Sequence, residues 1–540
     1  MSRQCLLSLV TYVTEAQRIL NLPQRQPPMS WTERLRRHKG APRLTAAQDM
    51  ALTEAFREGA LLGMLGAGAG KTLLSLLLPE VLNAQRPVLL TYKALVAQHL
   101  ADREYWRVHY NITSMAIVTY EELSGARTRD VLHTLAPDVI ILDEGAAVRR
   151  FSSARAGRLL AYVRQYPTTS VSVLSASLTG RSVLDIYELA ELALRDRSPF
   201  PIDTHVTEMW ASVLDPKGEP DAQALAAMRP FGHDAPSCRH GVYQRLMTCP
   251  GVVMTQEAST GVPLTILRLE HPAPASVTNA LKVLEEQWKL PDEGILEDGA
   301  AIVDALTFAR AARSLSLGFY YRWEWPNGVV DNEWLEARNA WNKEVRDALT
   351  YRRHQGYDSA LLVRQAAELG KGTTSLLRAL AVWKSQEHKT KPEVKYVFVD
   401  GGEYLASLLQ SVAPNTLIWH SSLAISSKLT EYGVPVHGAG SSPPVSGTAG
   451  VSIRVHGVGK HLVQYSNNLV LEPPASGDTW EQLLSRTVRM GQAAMSVTYT
   501  VLAHTRHLRD GIEKVIEEAR YIQSVSGNPQ KLLTATWETA

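Results

Sequence analysis

A glycine-rich run near residue 70 combines the residue types that a phosphate-binding loop needs. It reads Gly66-Ala67-Gly68-Ala69-Gly70-Lys71-Thr72 and stands between an apolar run and a helical pattern. Glycine lets the backbone approach phosphate oxygens closely, and amides converge on an anion at a helix N-terminus. The lysine would reach the β- and γ-phosphates of a nucleoside triphosphate, and the threonine hydroxyl would bind Mg²⁺. The run therefore predicts a nucleotide site with Gly66, Gly68, Gly70, Lys71 and Thr72 as its ligands.

Two acids follow the apolar run Val139–Leu142, where a buried strand would deliver them to the edge of a sheet. Hydrolysis of a nucleoside triphosphate needs one carboxylate for the metal ion and another that polarises the attacking water. Asp143 suits the first role and Glu144 the second. Placed downstream of a phosphate loop, the pair predicts hydrolysis as well as binding.

The elements around these residues are short β-rich runs that alternate with helical patterns, which is typical of a parallel sheet with crossover helices. The first series of predicted strands is Leu61–Leu65, Val88–Thr91, Ala116–Thr119, Val139–Leu142 and Val171–Leu174. The second series is Tyr396–Val399, Thr416–Trp419, Ile453–Val455, Leu469–Leu471 and Val497–Val501. The sequence therefore predicts an α/β fold with two parallel-sheet domains.

The segment between the two series has a mainly helical pattern, so we predict a helical domain inserted between the two sheets. The predicted boundaries are an N-terminal extension over residues 1–39, a first α/β domain over 40–205, the insertion over 206–390 and a second α/β domain over 391–540.

In their order along the chain, these segments resemble the motif series of superfamily 2 helicases. In the first half, the resembling segments are Leu44–Gln48 (the glutamine motif), Thr91–Val96 and Thr119–Leu123 (two strand-contacting motifs), and Ser175–Ser177 (the Ser-Ala-Thr motif). In the second half they are Thr416–Trp419, Ser452–Gly459 and Gln482–Gln492, which resemble the fourth, fifth and sixth motifs. The Arg-Met-Gly-Gln sequence at 489–492, the Thr-Tyr-Glu-Glu-Leu run and the large insertion are similar to the SWI/SNF-type, remodeller-like DNA helicases of bacteriophages.

The resemblance implies two tandem RecA-like lobes that use ATP and Mg²⁺. It implies that Gln48 reads the adenine edge, that Gly459 and Gln482 belong to the nucleotide site, and that Arg486 and Arg489 stabilise transition-state charge. The two arginines stand three positions apart, and this spacing predicts that they share one helix face. In the first lobe, the resemblance implies nucleic-acid contacts from Thr91, Lys93 and Thr119.

The function implied by the resemblance is that of an ATP-dependent DNA helicase or double-stranded DNA translocase. We expect it to act on double-stranded or forked DNA during phage replication or recombination, as a monomer when isolated, with other replication proteins as further partners. Two alternatives stay open at this point. One is an ATP-switched DNA-binding or loader protein that does not unwind, and the other is an RNA helicase.

Three further groups of residues invite a chemical interpretation. Aromatic residues between Tyr320 and Trp341 interleave with cations; we favour a packed core for most of the rings and nucleic-acid contacts for Arg322 and Arg338. The basic run Arg34–Lys39 fits either an approach to DNA or a solvated helix face. The spacing of the third group does not favour a zinc site: His233, Cys238, His240 and Cys249.

Composition limits these functions only weakly. A formal net charge of +2 over 540 residues means that any basic surface must be local. Three cysteines do not predict a disulfide framework and fit a reducing cytoplasm, the host's if the protein is viral. The apolar run Cys5–Val13 is short, is followed at once by Thr14 and Glu15, and lacks the small-residue cleavage site of a signal peptide. The run Ala60–Leu78 contains the glycines and lysine of the phosphate loop, so it does not predict a membrane-spanning helix. We therefore expect a soluble protein.

Overall fold

The chain forms two compact units in a computed structural model that describes residues 14–66, 68–149, 153–176, 178, 180, 182–255, 262–351, 358–438, 440–457, 461–489 and 491–539. Unit 1 comprises Met1–Val262, Ser476–Gly491 and Val515–Thr534. Unit 2 comprises Pro263–Ala475, Gln492–Lys514 and Ala535–Ala540.

Unit 1 contains a six-stranded sheet in which every pairing is parallel. Its strands are β1 (Leu61–Met64), β2 (Pro87–Thr91), β3 (Ala116–Thr119), β4 (Val139–Asp143), β5 (Ser170–Ser175) and β6 (Val252–Met254). They lie in the order β3-β2-β4-β5-β1-β6. A single strand, β5, therefore separates β1 from β4, so the loop after β1 and the acids after β4 emerge at the same carboxyl edge of the sheet.

Unit 2 contains a seven-stranded parallel sheet and a separate two-stranded antiparallel sheet. The strands are β7 (Leu264–Leu269), β8 (Phe319–Glu324), β9 (Glu393–Phe398), β10 (Thr416–His420), β11 (Val436–His437), β12 (Ala449–Ser452), β13 (Asn467–Val470), β14 (Val497–Leu502) and β15 (Thr536–Thr539). The large sheet has the order β11-β12-β10-β13-β14-β7-β15, and β8 pairs with β9. The predicted α/β class with two large parallel sheets is confirmed.

Helices connect and cover these strands. Residues 14–21 are helical. The α-helices that follow are α1 (Thr32–Leu35), α2 (Ala46–Glu58), α3 (Lys71–Val81), α4 (Val96–Trp106), α5 (Tyr120–Ser124), α6 (Val131–Leu135), α7 (Ala154–Gln165), α8 (Leu184–Leu194), α9 (Thr204–Leu214), α10 (Ala222–Met228), α11 (Ala235–Thr248), α12 (Ala275–Gln287), α13 (Ala305–Ser316), α14 (Asn332–Tyr351), α15 (Ala360–Glu368), α16 (Thr374–Gln386), α17 (Glu403–Gln410), α18 (Leu423–Glu431), α19 (Ile453–His456), α20 (Gly477–Leu484), α21 (Arg506–Ser526) and α22 (Lys531–Thr534). Short 3₁₀ turns occur at Lys93–Leu95, Ala126–Thr128, Gly145–Val148, Arg195–Arg197, Pro291–Glu293 and Pro326–Gly328.

The units divide the chain differently from the predicted domains. The predicted insertion over 206–390 is split, because β6 joins the sheet of unit 1 beside β1 while β7 joins the large sheet of unit 2 beside β14. The predicted second domain is also split, since Ser476–Gly491 and Val515–Thr534 belong to unit 1. The sheet of unit 2 therefore takes its first strand from residue 264, well before the predicted start at 391.

Two predicted strands have a different structure. Residues Ile453–Val455 lie in α19, and the strand is the preceding β12, whose small residues include Gly450. A Cβ at Gly450 would come within 3.0 Å of the Val436 side chain, so the close spacing of β12 against its neighbours favours glycine. The predicted strand Tyr396–Val399 overlaps β9, which pairs with β8 and stays outside the parallel sheet.

Burial explains why the central strands are continuous apolar runs. All residues of β1, β2, β4 and β10 are buried, as expected for parallel strands covered on both faces. Across the part of the chain that the structure describes, no helix is both long enough and apolar enough to cross a bilayer.

Candidate functional site

The phosphate loop of unit 1 lies between β1 and α3, with Ala67 outside the described residues. Gly68 and Gly70 have φ of 94° and 77°, a left-handed backbone that favours glycine. Gly70 is the N-cap of α3, and Lys71 begins the helix. The Lys71 ammonium donates to the carbonyls of Leu65 at 3.0 Å and Gly66 at 3.1 Å, so it folds back over the loop. A helix N-terminus and a lysine thus converge as phosphate binding requires.

Gln48 lies directly against this loop. It is 6% exposed and belongs to a capping box at the start of α2, in which the Thr45 amide donates to its Oε1 at 2.9 Å. A Cβ at Gly70 would overlap the side-chain nitrogen of Gln48. A side chain at position 70 would therefore displace the Gln48 amide nitrogen as well as strain the turn.

Asp143 ends β4 and is held by His99, a residue for which the sequence offers no functional signal. His99 Nε2 lies 2.9 Å from Asp143 Oδ2, and the Thr91 hydroxyl lies 3.5 Å from the same oxygen. The Tyr120 hydroxyl donates to the Asp143 carbonyl at 2.8 Å. His99 is 3% exposed on α4, so the carboxylate is anchored on one side by buried groups.

Glu144 has the features of an available base. Its Oε2 is buried and has no hydrogen-bond partner among the described residues. Its φ of 52° places a non-glycine residue in the left-handed region, a strain of about 1–3 kcal/mol that occurs often at functional sites. Burial raises the pKa of Glu144 above its ordinary value, Lys71 opposes that shift, Asp143 adds to it, and Arg486 opposes it. Two cations and two other acids, Asp143 and Asp478, therefore act on this one carboxyl.

The arginines lie beyond the end of a helix, so the prediction that they share a helix face is wrong. The helix α20 ends at Leu484 because the chain tightens there, with the Arg486 amide donating to the Leu483 carbonyl three residues back at 3.0 Å. Arg486 is 7% exposed, and its Nε donates to the Gln482 carbonyl at 2.8 Å. Arg489 is partly buried in the following bend. Both arginines belong to the same compact unit as the phosphate loop.

An ion pair connects the start of α20 with the segment that follows Glu144. Arg149, just after the 3₁₀ turn Gly145–Val148, pairs with Asp478. A Cβ at Gly180 would lie 3.1 Å from the Arg149 guanidinium, so this glycine leaves room for the arginine. The pair has no signal in the sequence, and it links the segment bearing Arg486 to the acid-bearing strand.

Three predicted nucleotide ligands remain to be located: Thr72, Gln482 and Gly459. Thr72 lies in the first turn of α3 and is partly buried. Gln482 contributes its carbonyl to Arg486. Gly459 lies outside the described residues.

Two of the three predicted strand contacts in unit 1 are buried and have structural partners. Thr91 is fully buried beside His99. Thr119 is 7% exposed and caps α5, with its hydroxyl 2.9 Å from a Glu122 carboxylate oxygen. Lys93 is exposed. Of these three residues, Lys93 has the side chain that is accessible to a nucleic acid.

The two arginines of unit 2 that are predicted to contact nucleic acid, Arg322 and Arg338, differ in exposure and in their hydrogen-bond partners. Arg322 is exposed, 3.9 Å from Asp292. Arg338 donates to the carbonyls of Asp298 at 2.9 Å and Gly299 at 3.1 Å, and it stacks on Trp323 at 5.0 Å. Arg338 is therefore a structural residue rather than a free cation. Its neighbouring rings are mostly core, as predicted, and the buried ones are Tyr320, Tyr321, Trp334 and Trp341.

The thiols of the candidate zinc set are core residues of unit 1. Cys238 and Cys249 are buried and free, and burial raises the pKa of Cys249 to about 11. Within the described ranges, no group of three or more His, Cys, Asp or Glu side chains is arranged to hold a metal ion.

No model of a known protein family and no curated protein matches this chain. The functional conclusion therefore depends on the motifs of the chain and on their geometry.

Proposed function

We propose that this protein is an ATP-dependent DNA helicase or double-stranded DNA translocase of the superfamily 2 type. One observation carries the proposal: unit 1 brings together Lys71 of a phosphate loop, the acids Asp143 and Glu144, and Arg486, whose charge acts on Glu144. Nucleotide hydrolysis requires these groups in one place.

The loop fits a nucleoside triphosphate. Lys71 already coordinates two oxygen atoms, those of the loop carbonyls, and phosphate oxygens would replace them. Gln48 abuts the loop at Gly70, where it would contact the base of ATP. The N-terminal amides of α3 would complete the phosphate cradle.

Thr72 and Asp143 would hold Mg²⁺, which supplies charge neutralisation at the phosphates. Asp143 suits this role because His99 fixes one of its oxygens and so limits its rotation. Hydroxyl and carboxylate oxygens are the ligand types that Mg²⁺ prefers.

Glu144 would accept a proton from the attacking water. Its unpartnered Oε2 needs no other hydrogen bond broken before it acts. Arg486 and Arg489 would stabilise charge that develops on the transferred phosphoryl group, where an arginine is worth about 10³–10⁵ in rate. In this assignment Arg486 also favours the ionised form of Glu144 before hydrolysis.

The two large parallel sheets support the assignment of two RecA-like lobes, one on the six-stranded and one on the seven-stranded sheet. DNA is assigned as the substrate from the resemblance of residues 482–492 to the sixth motif of DNA helicases. Hydrolysis would then be coupled to movement on DNA.

Stimulation of ATP hydrolysis by nucleic acids tests the proposal. We expect duplex or forked DNA to raise the turnover of the full chain more than RNA does, with stimulation fading between about 50 and 200 mM salt as phosphate contacts are lost. Lys71→Ala is the negative control. A turnover that neither DNA nor RNA changes at low salt would contradict a motor and favour an ATP-switched loader, and stimulation by RNA alone would favour an RNA helicase.

A further inference from the structure

A basic surface of unit 1 is assembled from two segments far apart in the sequence. The segments are residues 33–43 and 102–111, here called the basic strip. An isolated β-bridge joins Arg36 to Tyr110, and the Arg37 amide donates to the His109 carbonyl at 2.8 Å. The Arg37 guanidinium also donates to the Arg107 carbonyl at 2.9 Å. The run at 34–39 is therefore not the face of a helix, since α1 ends at Leu35.

The basic strip concentrates charge that the whole chain lacks. It contains seven Lys and Arg residues and three acidic residues, a net charge of +4, whereas all 540 residues carry +2. Arg36 pairs with Glu33, and both Arg103 and Arg107 pair with Glu104. Among the described residues, no carboxylate forms an ion pair with the other four cations, which are all exposed: Arg34, Arg37, Lys39 and Arg43.

The strip lies at the far end of the helix that follows a predicted strand contact. The exposed Lys93 stands just before α4, and Arg103 and Arg107 stand at the other end of that helix. Eleven helical residues span about 16 Å, since each adds about 1.5 Å. A duplex that carries one charge per about 1.7 Å of its axis could contact both ends of α4 at once.

We propose that the basic strip binds the phosphate backbone of duplex DNA, as a contact surface in addition to the strand-contacting motifs. The choice of DNA rests on the proposed function. Proteins that bind single strands stack successive bases on several rings. In the strip, the Tyr105 ring is 57% exposed, while Trp106 and His109 pack edge-on against it and against each other. Exposed cations with few exposed rings favour the backbone of a duplex.

The test compares two triple variants of the full chain, without nucleotide, by fluorescence anisotropy on a labelled duplex. The first is Arg34→Ala, Lys39→Ala, Arg43→Ala, which removes exposed charges of the strip. The second removes three other exposed arginines of unit 1, with Arg127→Ala, Arg129→Ala and Arg164→Ala. Thermal melting and basal ATPase of both variants, expected at wild-type values, show that each is folded.

The strip variant should bind the duplex about tenfold or more weakly at 100 mM salt. Its dependence of log affinity on log salt should be shallower than wild type by about 2.7, the value for three lost phosphate contacts at about 0.9 each. The control variant should keep the wild-type slope. Equal losses of duplex affinity in both variants would overturn the proposal, because the strip would then contribute no more than any other positive charges on the surface.

Three further outcomes would also overturn the assignment. The first is a strip variant whose log affinity depends on log salt with the wild-type slope. The second is a strip variant that loses single-strand binding but keeps duplex binding. The third is a strip variant that loses binding to poly-glutamate but keeps duplex binding, which would indicate an acidic protein partner. If the strip variant unfolds, the single charge reversal Lys39→Glu replaces it, with the same direction expected. If DNA stimulates the wild-type ATPase but the strip variant binds the duplex as tightly as wild type, the strip is not a DNA-binding surface and the proposed function still holds.

Discussion

Replacing Glu144 by glutamine separates nucleotide binding from hydrolysis at the candidate site. Glutamine has nearly the same shape as glutamate, so the strain of the left-handed backbone at position 144 is the same for both residues. The substitution removes the carboxylate but no hydrogen bond of the buried Oε2, which has none among the described residues. Lys71 and Arg486 keep their charges, and the substitution removes the negative charge that attracts both cations to position 144.

The expected result is therefore an affinity for ATP equal to or slightly higher than that of wild type, with a much lower turnover. General base catalysis contributes about 10²–10⁴ in rate. That range corresponds to about 2.7–5.4 kcal/mol of transition-state stabilisation, at about 1.36 kcal/mol per tenfold. Fluorescence of a labelled ATP analogue measures the affinity, and phosphate release with saturating ATP and DNA measures the turnover.

A matched control is Glu208→Gln, which changes an exposed glutamate of α9 in the same way and should alter neither quantity. A Glu144→Gln turnover within about tenfold of wild type would show that Glu144 is not the base. A large loss of affinity, equal to that of Lys71→Ala, would show that the carboxylate has a binding role instead.

Five other substitutions test separate features of the site and the fold. Lys71→Ala should abolish hydrolysis and weaken binding of the ATP analogue, because the ammonium contacts phosphate in the ground state. Arg489→Ala should keep affinity within about tenfold while DNA-stimulated turnover falls by about a hundredfold or more, with Arg486→Ala acting in the same direction. Glu54→Gln should raise the melting temperature at pH 7, because burial raises the pKa of this carboxyl and its ionised form destabilises the fold. This increase in melting temperature should shrink as the pH falls towards 4, since wild-type Glu54 then becomes protonated. Arg338→Ala should lower the melting temperature by removing two hydrogen bonds and a ring contact, and leave the affinity for duplex DNA unchanged.

The phosphate loop and the acid pair could be predicted because their signals are local. A buried parallel strand is a continuous apolar run, and the residues after it lie at the carboxyl edge of the sheet. Thus the order of residue types along the chain is enough to place Lys71, after β1, at the same sheet edge as Asp143, at the end of β4. The capping box that holds Gln48 is equally local, since it spans Thr45 to Gln48.

The contacts that complete the site could not be predicted because they join distant residues. His99 and Asp143 are 44 residues apart, and Arg149 and Asp478 are 329 apart. A single sequence contains no signal for such pairs, and each partner alone resembles an ordinary polar residue.

The compact units differ from the predicted domains, and the arginine-bearing segment differs from the predicted helix, for different reasons. The strand β6 has only three residues, and both β6 and β7 stand among helical patterns. Their membership in the two sheets depends on pairing partners far along the chain. The spacing of Arg486 and Arg489 fits a helix, but the helix ends at Leu484, two residues before Arg486, whose amide donates to the Leu483 carbonyl three residues back. Periodicity indicates where a helix is favourable and is weak on where it stops.

Displacement of the third strand from a DNA triplex tests most directly whether ATP hydrolysis in this protein drives movement on DNA. The substrate is a DNA duplex with a labelled third strand bound to one part of it and a bare duplex arm beside that part. A protein that binds the bare arm and moves along the duplex displaces the third strand. We expect ATP-dependent displacement by wild type, none without ATP, and none by Glu144→Gln despite normal ATP binding. Wild-type protein that hydrolyses ATP in the presence of the duplex but leaves the third strand and a forked substrate intact would contradict a motor.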